Sequence, residues 1–192
     1  MTYKRVENRD DQRLFYAIVQ EAWEEKNWDY EDIERDGRAQ YLVQNDEGDT
    51  IGTFEFLPYI PEGESLIERD YPFYRESEVK GQTRPVYELD KLAISDRHRS
   101  SEHLYILISD LMKVGIDELK SDLFLSIIRP SFHRLLHRVM KLPVISLSEP
   151  LYCDENDDYF TPCLCYVPKN MEELGEMQKT MRRGLRIKSL TK

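Results

Sequence analysis

The chain has 192 residues, of which 40% are hydrophobic and 33% charged, and both values are ordinary for one soluble globular domain. Its formal net charge of −10 disfavours nucleic acid as a partner, because phosphate binding needs clustered positive charge. No apolar run approaches the roughly 20 residues that cross a bilayer, and the polar N-terminus is not a signal peptide. We therefore expect a cytoplasmic protein with no membrane partner.

The N-terminal part of the chain predicts one strand and two helices. A strand over residues 3–8 is followed by a helix over residues 10–27, in which apolar residues recur at helical spacing. Asp10 or Asp11 is the expected N-cap of this helix. The acidic stretch 29–37 ends in glycine and predicts a second helix.

Residues 40–84 predict a hairpin followed by a flap. In residues 40–59, two apolar, β-prone runs flank the sequence Asn-Asp-Glu-Gly-Asp, which is typical of a hairpin turn. Residues 60–84 are rich in Pro and Gly and weakly periodic, and long irregular segments of this kind are often functional. The aromatic side chains of this flap either line a substrate pocket or pack the flap onto the core; they are Tyr71, Phe73 and Tyr74.

The second half of the chain predicts alternating strands and helices. The predicted strands cover residues 86–94, 123–128, 143–152 and 159–168, and the predicted helices cover residues 101–120, 130–142 and 170–185. Asn170 is the expected N-cap of the last helix. Alternation after an antiparallel hairpin indicates an α+β fold with a mixed sheet and flanking helices, in a single domain over residues 1–192.

The three cysteines, an odd number, argue against a disulfide framework. Cys163 and Cys165 lie two residues apart in a predicted strand, so their side chains share one face. Such a pair could be redox-active or bind a metal ion. We expect ordinary buried thiols instead.

The C-terminal segment 179–192 is basic, with six Lys or Arg residues and no acid, whereas the rest of the chain is strongly acidic. It could dock on its own domain, on a neighbouring subunit or on an acidic ligand. The simplest expectation is a solvated, frayed terminus.

The order of a hairpin, a central strand, a loop and helix, a strand, a helix and two closing strands resembles the GNAT superfamily of acyl-CoA N-acyltransferases over nearly the whole chain. In that family, backbone N–H groups at a helix start hold the cofactor pyrophosphate. Arg99 falls on the family's basic position, while Ser100 and Glu102 replace its glycines. The cofactor-binding residues that the resemblance implies are Leu92, Ala93 and Ile94 for the acyl–pantetheine arm and Arg97, Arg99, Ser100 and Ser101 for the phosphates.

A closer resemblance is to one branch of this superfamily, the acyl-homoserine-lactone and N-acyl-amino-acid synthases. The hairpin strand matches that branch at Gly52 and Pro58, and the aromatic flap lies in the corresponding place. Glu55 stands where the branch has a hairpin arginine, and Lys91 stands where it has a second arginine. Because Lys cannot reproduce a bidentate guanidinium contact, this departure argues against a lactone product.

Glu88 and Asp90 lie two residues apart in the predicted strand 86–94 and therefore share a face. In a GNAT-like site, an acid on this strand can remove a proton from the substrate ammonium, which makes Glu88 the expected general base. Asp90, Glu55 and Tyr74 are the expected contacts of the substrate amine. The alternative is a solvated, charged strand edge.

The expected general acid is less directly indicated by the sequence. Classical GNAT enzymes place a Tyr seven residues after an Asn to protonate the leaving thiolate, and aligning Pro130 with that Asn puts His137 at the Tyr position. Histidine carries a proton near neutral pH. His133 and His137 also have a spacing that could bind a metal ion, but no third ligand is evident, so we expect no metal site.

Together these features predict an N-acyltransferase that moves an acyl group from acyl-CoA, with acetyl-CoA favoured, to a small-molecule amine by direct attack. No Ser or Cys paired with His indicates a covalent intermediate. Two alternatives stay open: a signal synthase that uses a long acyl chain, and a non-catalytic ligand-sensing module with the same fold. A homodimer and an acyl-carrier-protein donor also stay open as partners.

Overall fold

A computed structural model of the chain describes residues 2–26, 28, 36–61, 65–154 and 156–187. The strands in this part of the chain are β1 (Tyr3–Arg5), β2 (Ala39–Gln44), β3 (Thr50–Pro58), β4 (Tyr87–Ile94), β5 (Leu123–Ile128), β6 (Val144–Ser146), β7 (Leu151–Cys153) and β8 (Asp158–Tyr166). The helices are α1 (Arg9–Glu24), α2 (Ser77–Lys80), α3 (Ser101–Val114), α4 (Pro130–Arg134) and α5 (Met171–Gly184). Within the described ranges, none of these helices is long and apolar enough to cross a membrane.

The described strands form one sheet in the order β1-β2-β3-β4-β5-β8-β6, and β7 pairs with β8. β4 and β5 pair in parallel, whereas the other described neighbours are antiparallel. The parallel pair needs a long crossover, and α3 supplies it. This arrangement confirms the predicted α+β fold with a mixed, mostly antiparallel sheet and flanking helices.

The two faces of the sheet are covered by different elements. On one face, Phe15 and Val19 of α1 pack on Leu42, and the flap packs farther along through Phe73, which is fully buried. On the other face, α3, α5 and the segment after α4 enclose the main core, which is rich in aromatic side chains. Its largest members include Tyr41, Phe54, Phe56, Phe124, Leu107, Leu111 and Met112. The first face, covered by α1 and the flap, carries the acids of β4.

The residue that caps the N-terminus of α1 differs from the predicted one. The side chain of Asn8, not of Asp10 or Asp11, caps α1 by accepting hydrogen bonds from two backbone N–H groups. Asn8 lies one residue before the helix, where the cap geometry requires an extended backbone. The predicted helix over 29–37 lies outside the described residues except for a turn at its end. The predicted hairpin is confirmed.

The predicted strand 143–152 is instead two short strands, β6 and β7, which both pair with β8. Pro150 lies between them and has no N–H to donate, so one continuous strand could not pair through this point. The flap also contains more local structure than predicted. It has short helical turns at Leu66–Arg69 and Phe73–Arg75 and the single turn of α2.

Part of the basic C-terminal segment is ordered on its own domain. Residues 179–184 form the end of α5, which Asn170 caps as predicted. Arg182 lies over the Tyr105 ring at 4.7 Å, and Leu185 packs against the main core. The expectation of a frayed terminus is therefore wrong for residues 179–187, and the rest of the segment lies outside the described residues.

Replacing Gly184 by Ala is expected to lower the free energy of unfolding by about 1–3 kcal/mol, because overpacking forces the end of α5 to shift. A Cβ at this position would lie 1.8 Å from the carbonyl oxygen of Val139. At Gly175, on the same helix, a Cβ would meet nothing within 4 Å, so Gly175→Ala is expected to stabilise by roughly 0.5–1 kcal/mol. Urea unfolding of both variants checks this; equal stabilities would contradict it.

Candidate active site

The parallel strands β4 and β5 separate after a short paired region. Within the described residues their ladder covers only Tyr87 with Phe124 and Glu88 with Leu125. Just beyond, the Ser126 hydroxyl donates a hydrogen bond of 3.0 Å to the Leu89 carbonyl oxygen. From there the two strands diverge, so the end of β4 keeps β3 as a partner on one side and borders a gap on the other.

A β-bulge in β4 lies beside this gap. Thr53 pairs with Ala93 and Glu55 pairs with Asp90, so two residues of β4 lie opposite the single residue between them in β3. One of the two is Lys91, which has a left-handed φ of 49°. This conformation is uncommon for a side chain other than Gly, Asn or Asp, and it turns the Lys91 side chain onto the face that carries Glu55.

Several hydrogen bonds hold Lys91 in this conformation. The Thr53 hydroxyl donates to the Lys91 carbonyl oxygen at 3.0 Å, and the Lys91 N–H donates to Asp90 Oδ1 at 2.7 Å. The Lys91 ammonium, whose side chain is 6% exposed, lies 2.5 Å from Glu55 Oε1 and 3.4 Å from Asp90 Oδ2. The bulge is therefore fixed through both its backbone and its side chain.

Glu55 is the centre of a buried network and has no exposed surface. Besides Lys91, it accepts a hydrogen bond of 2.6 Å from Gln40 Nε2, and Arg38 Nε lies 3.7 Å from its second carboxylate oxygen. Burial raises the pKa of the Glu55 carboxyl above its ordinary value, and the Lys91 ammonium offsets part of that rise. Glu55 is thus a partner of cations rather than an open substrate contact.

Glu88 lies at the point where the strands separate, because it is the last residue of β4 that pairs with β5. It is 4% exposed and stands opposite Leu57 on the face that also carries Glu55. Asp90 is on the same face but is exposed. The structure therefore brings the three predicted acids to one face of the sheet beside the gap, and the alternative of a solvated strand edge does not hold for Glu88.

The flap lies next to these acids, and hydrogen bonds between tyrosine residues and the Glu68 carboxylate connect its parts. The Tyr59 hydroxyl donates to Glu68 Oε1, which also accepts a hydrogen bond of 3.0 Å from the Tyr74 N–H. Burial and the nearby charges of Glu68 and Glu88 raise the pKa of Tyr59. The Tyr74 side chain is half-buried, and its hydroxyl accepts a hydrogen bond of 3.0 Å from Arg75 Nε.

The loop after β4 contains the predicted phosphate-binding residues, and most of its side chains already have partners. Arg99 pairs with Glu25 and lies 2.5 Å from Asp96. The Arg99 guanidinium lowers the pKa of the Glu25 carboxyl to about 2. Arg97 is exposed. Arg99 would have to leave its two carboxylates before it could bind a phosphate group.

The backbone of this loop fits an anion better than its side chains do. Ser100 caps α3, with its hydroxyl oxygen accepting a 3.1 Å hydrogen bond from His103 N–H. Within the described part of the chain, the N–H groups of Ser101 and Glu102 donate to no protein group. The Ser95 hydroxyl at the loop start is also buried without a described partner. The helix start therefore keeps free donors despite the missing glycines.

An apolar pocket lies on the other face of the sheet, below the gap. Its volume is about 20 Å³, which holds roughly one water molecule. The lining comes from β4, β5, α3, β8 and the segment after α4; it includes Leu89, Leu92, Ile108, Ile128, Phe132 and Leu136. Cys163 and Cys165 also border the pocket, and burial raises the pKa of both thiols to about 12. Burial therefore favours the neutral thiol form of both side chains over the nucleophilic thiolate.

His137 does not join the acids of β4. Its exposed ring stacks on that of His133, with a centroid distance of 5.7 Å and an interplanar angle of 9°. Burial lowers the pKa of His133. In the described ranges, no group of three or more His, Cys, Asp or Glu residues is arranged to hold a metal ion. The general-acid role of His137 stays a prediction.

Sequence reasoning missed Arg38 and Gln40 as parts of this site. Neither belongs to a motif, and both reach Glu55 because β2 and β3 pair with Gln40 opposite Glu55. The hairpin signal could have located this pair, since a turn fixes the register of its two strands. Gly52, which matches the branch pattern, has a steric explanation. A Cβ there would lie 2.5 Å from the Ala93 carbonyl oxygen.

Comparisons with known proteins agree with this architecture. No protein-family model and no curated protein sequence matches the chain. Among solved structures, FeeM, an N-acyl amino acid synthase from uncultured soil microbes, is 13% identical, with a TM-score of 0.68 over 87% of this chain and 91% of its own. BjaI, a CoA-dependent acyl-homoserine lactone synthase solved with SAM and isopentyl-CoA, is 11% identical, with a TM-score of 0.66 over 100% and 92%.

A third match is ElaA of Escherichia coli, which is 9% identical and has a TM-score of 0.60 over 86% of this chain and 99% of its own. At these identities the likeness is one of fold. The chain therefore has a GNAT-like fold, which it shares with the N-acyl amino acid synthase FeeM and the acyl-homoserine lactone synthase BjaI.

Proposed function

We propose that the protein is an acyltransferase that moves an acyl group from acyl-CoA to an amine. The observation that carries this proposal is the gap between β4 and β5. At this gap the two faces of the sheet have different chemical character. One side has the buried Glu88, and the other has an almost wholly apolar pocket. An amine and an acyl chain could therefore approach the same opening from opposite faces of the sheet.

In the proposed reaction, Glu88 accepts a proton from the acceptor ammonium, and the amine nitrogen attacks the thioester carbonyl carbon. The C–S bond then breaks and the nitrogen loses its second proton, so the products are a neutral amide and a thiolate that takes up one proton to form free CoA, while the first proton stays on Glu88. Within the described part of the chain, the Cys163 thiol donates to the Thr161 carbonyl oxygen rather than to a base, so direct attack is the simpler route. His137 is retained as the candidate proton donor to the thiolate.

Donor binding is expected to use the free N–H groups at the start of α3. The backbone of Leu92–Ile94 borders the gap, next to the loop, and would hold the pantetheine arm. An acyl-carrier protein is the alternative donor, and its phosphopantetheine arm would occupy the same gap.

A second candidate is a synthase that uses long acyl chains. Its support is the apolar lining of the pocket, whose members are almost all Leu, Ile, Val, Met or Phe. The present volume holds roughly one water molecule, so a short acyl group would already require Phe132 or Leu136 to move, and a long chain would require a larger movement. Chain-length preference therefore separates the two candidates.

The test is calorimetric titration with acetyl-CoA, decanoyl-CoA and free CoA, together with thiol release in the presence of a panel of amines. Micromolar binding and amine-dependent thiol release would support acyl transfer. Tight binding of a thioester without thiol release in the presence of any amine would favour a ligand-sensing module instead. If none of the three ligands binds and thiol is released only from acyl-carrier-protein thioesters, the acyl donor is a carrier protein rather than CoA.

Replacing Ser101 by Pro is expected to weaken CoA binding about tenfold, because it removes one N–H that would donate to a charged phosphate. Pro is well tolerated at the first position of a helix, and the extended backbone of Ser100 suits a following Pro. Ser101→Ala keeps the N–H and is the matched control. Equal dissociation constants for the two variants would place the phosphates elsewhere.

A further inference from the structure

Resting on the proposed acyl transfer to an amine, a more specific acceptor class can be assigned. We propose that Glu55 determines acceptor specificity: by holding Lys91 and Arg38, it excludes amines that carry a neighbouring carboxylate. The preferred acceptors are then amines without a carboxylate, such as diamines and arylalkylamines.

The first step concerns the cations beside the gap. An α-carboxylate on an acceptor needs a positive group to bind it. Lys91 is already in contact with Glu55 at 2.5 Å and with Asp90 at 3.4 Å, and Arg38 is 3.7 Å from Glu55. A substrate carboxylate would have to displace Glu55, which has no exposed surface, from these cations.

The second step concerns the balance of charge on this face. Three carboxyl side chains, Glu55, Glu88 and Asp90, share it with the two cations. When these five described groups are ionised, their summed charge is negative. An added carboxylate next to Glu88 and Asp90 is repelled, whereas an ammonium group is attracted.

The third step concerns how firmly Glu55 is held. Gln40 Nε2 donates to Glu55 at 2.6 Å and lies 3.2 Å from the Tyr16 hydroxyl, which ties the network to α1. Glu55 therefore lies between β2, β4 and α1 and has little freedom to release Lys91. Its effect on specificity is built into the sheet rather than into a mobile side chain.

The experiment compares amines that differ by one carboxylate: pentane-1,5-diamine against lysine, and tyramine against tyrosine. Each is titrated calorimetrically into the wild-type protein with and without free CoA, and each is also offered as an acceptor with acetyl-CoA and decanoyl-CoA. The amine without a carboxylate is expected to bind about tenfold more tightly in both pairs, a difference typical of one unfavourable charge contact.

The matched variant is Glu55→Gln, which keeps the side-chain shape and removes the charge that holds Lys91. It is expected to shift the binding ratio toward lysine and tyrosine by about tenfold. Asp90→Asn, at the exposed partner of Lys91, is a second variant with a smaller shift in the same direction if Glu55→Gln does not fold. Glu176→Gln, on α5 and paired with Lys179, removes a distant charge and should leave the ratio unchanged.

The outcomes separate this inference from the proposed function. A preference for the carboxylate-free amines in binding, without any turnover, would support the specificity of the site while ending the proposal of acyl transfer. Equal or tighter binding of lysine and tyrosine would overturn the role of Glu55. Failure of all four amines to bind, with or without CoA, would overturn it as well.

Discussion

Replacing Glu88 by Gln is expected to lower the turnover number at neutral pH by about 100-fold, the low end for loss of a general base. Glu88 is buried at the end of the paired region of β4 and β5, and Gln has the same shape but cannot accept the proton. The thioester dissociation constant should stay the same, because in the proposed mode of binding the phosphates and the acyl chain lie away from this carboxyl. Steady-state kinetics with acetyl-CoA, combined with calorimetry, measure both quantities.

Two controls make this result specific. Glu176→Gln removes an exposed carboxyl on α5 and should have wild-type turnover. The pH profile is the second, because loss of a base removes the rise of turnover with pH that its ionisation causes, whereas a packing defect lowers turnover equally at every pH. Wild-type turnover in Glu88→Gln would remove Glu88 from the role of base.

Replacing Lys91 by Met is expected to lower the free energy of unfolding by about 3–5 kcal/mol, because it leaves the buried Glu55 carboxylate without its ammonium partner. Met has a similar unbranched side chain, so the strain of the left-handed backbone is the same in both proteins. The double variant Glu55→Gln/Lys91→Met should recover most of the loss, since neither member of the buried Glu55–Lys91 pair is then left without the other. Urea unfolding provides the comparison.

The exposed pair on α5 is the matched control for this cycle. Lys179→Met breaks an ion pair with Glu176 whose side chains are 65% and 70% exposed, and such pairs contribute about 0–1 kcal/mol. Equal losses for Lys91→Met and Lys179→Met would show that burial of the Lys91 pair has no energetic consequence.

The pH dependence of Lys91→Met has a defined sign. The pKa of Glu55 is already raised by burial, and removing the ammonium raises it further. A carboxyl whose pKa is higher in the folded state contributes most stability below its unfolded pKa and loses it as the pH rises through the folded pKa. The deficit of the variant relative to the wild type should therefore shrink on acidification, and a deficit that grows instead would contradict the assignment.

Fold alone leaves the reaction open, because the same fold can carry catalysis or ligand sensing. The side chains around Lys91 distinguish this chain from the branch it resembles. Where the branch has two arginines, this chain has Glu55 and Lys91, and they neutralise each other. A site that binds an amino acid or SAM through its carboxylate would need a free cation at this place. We therefore expect the acceptor substrate of this chain to differ from that of the branch.

Features that depend on residues close in sequence could be predicted from the sequence. The turn before β3 is an example: Asn45 accepts hydrogen bonds from the N–H groups of Glu47 and Asp49, and Gly48 has a φ of 89°. The hairpin, the Asn170 cap, the amphipathic α3 and the crossover between β4 and β5 follow from the same local chemistry. These elements were sufficient for the fold class, because few topologies accommodate this order of elements.

Features that depend on pairing between distant segments were decided by the tertiary structure. Glu55 and Lys91 are 36 residues apart, and they meet because a bulge turns one side chain of β4 to the other face. Arg99 forms an ion pair with Glu25, the residue directly after α1, and no motif in the loop could indicate this contact. Local sequence sets turns, caps and periodicity, but register and bulges set which charges meet, and here those charges determine the chemistry of the site.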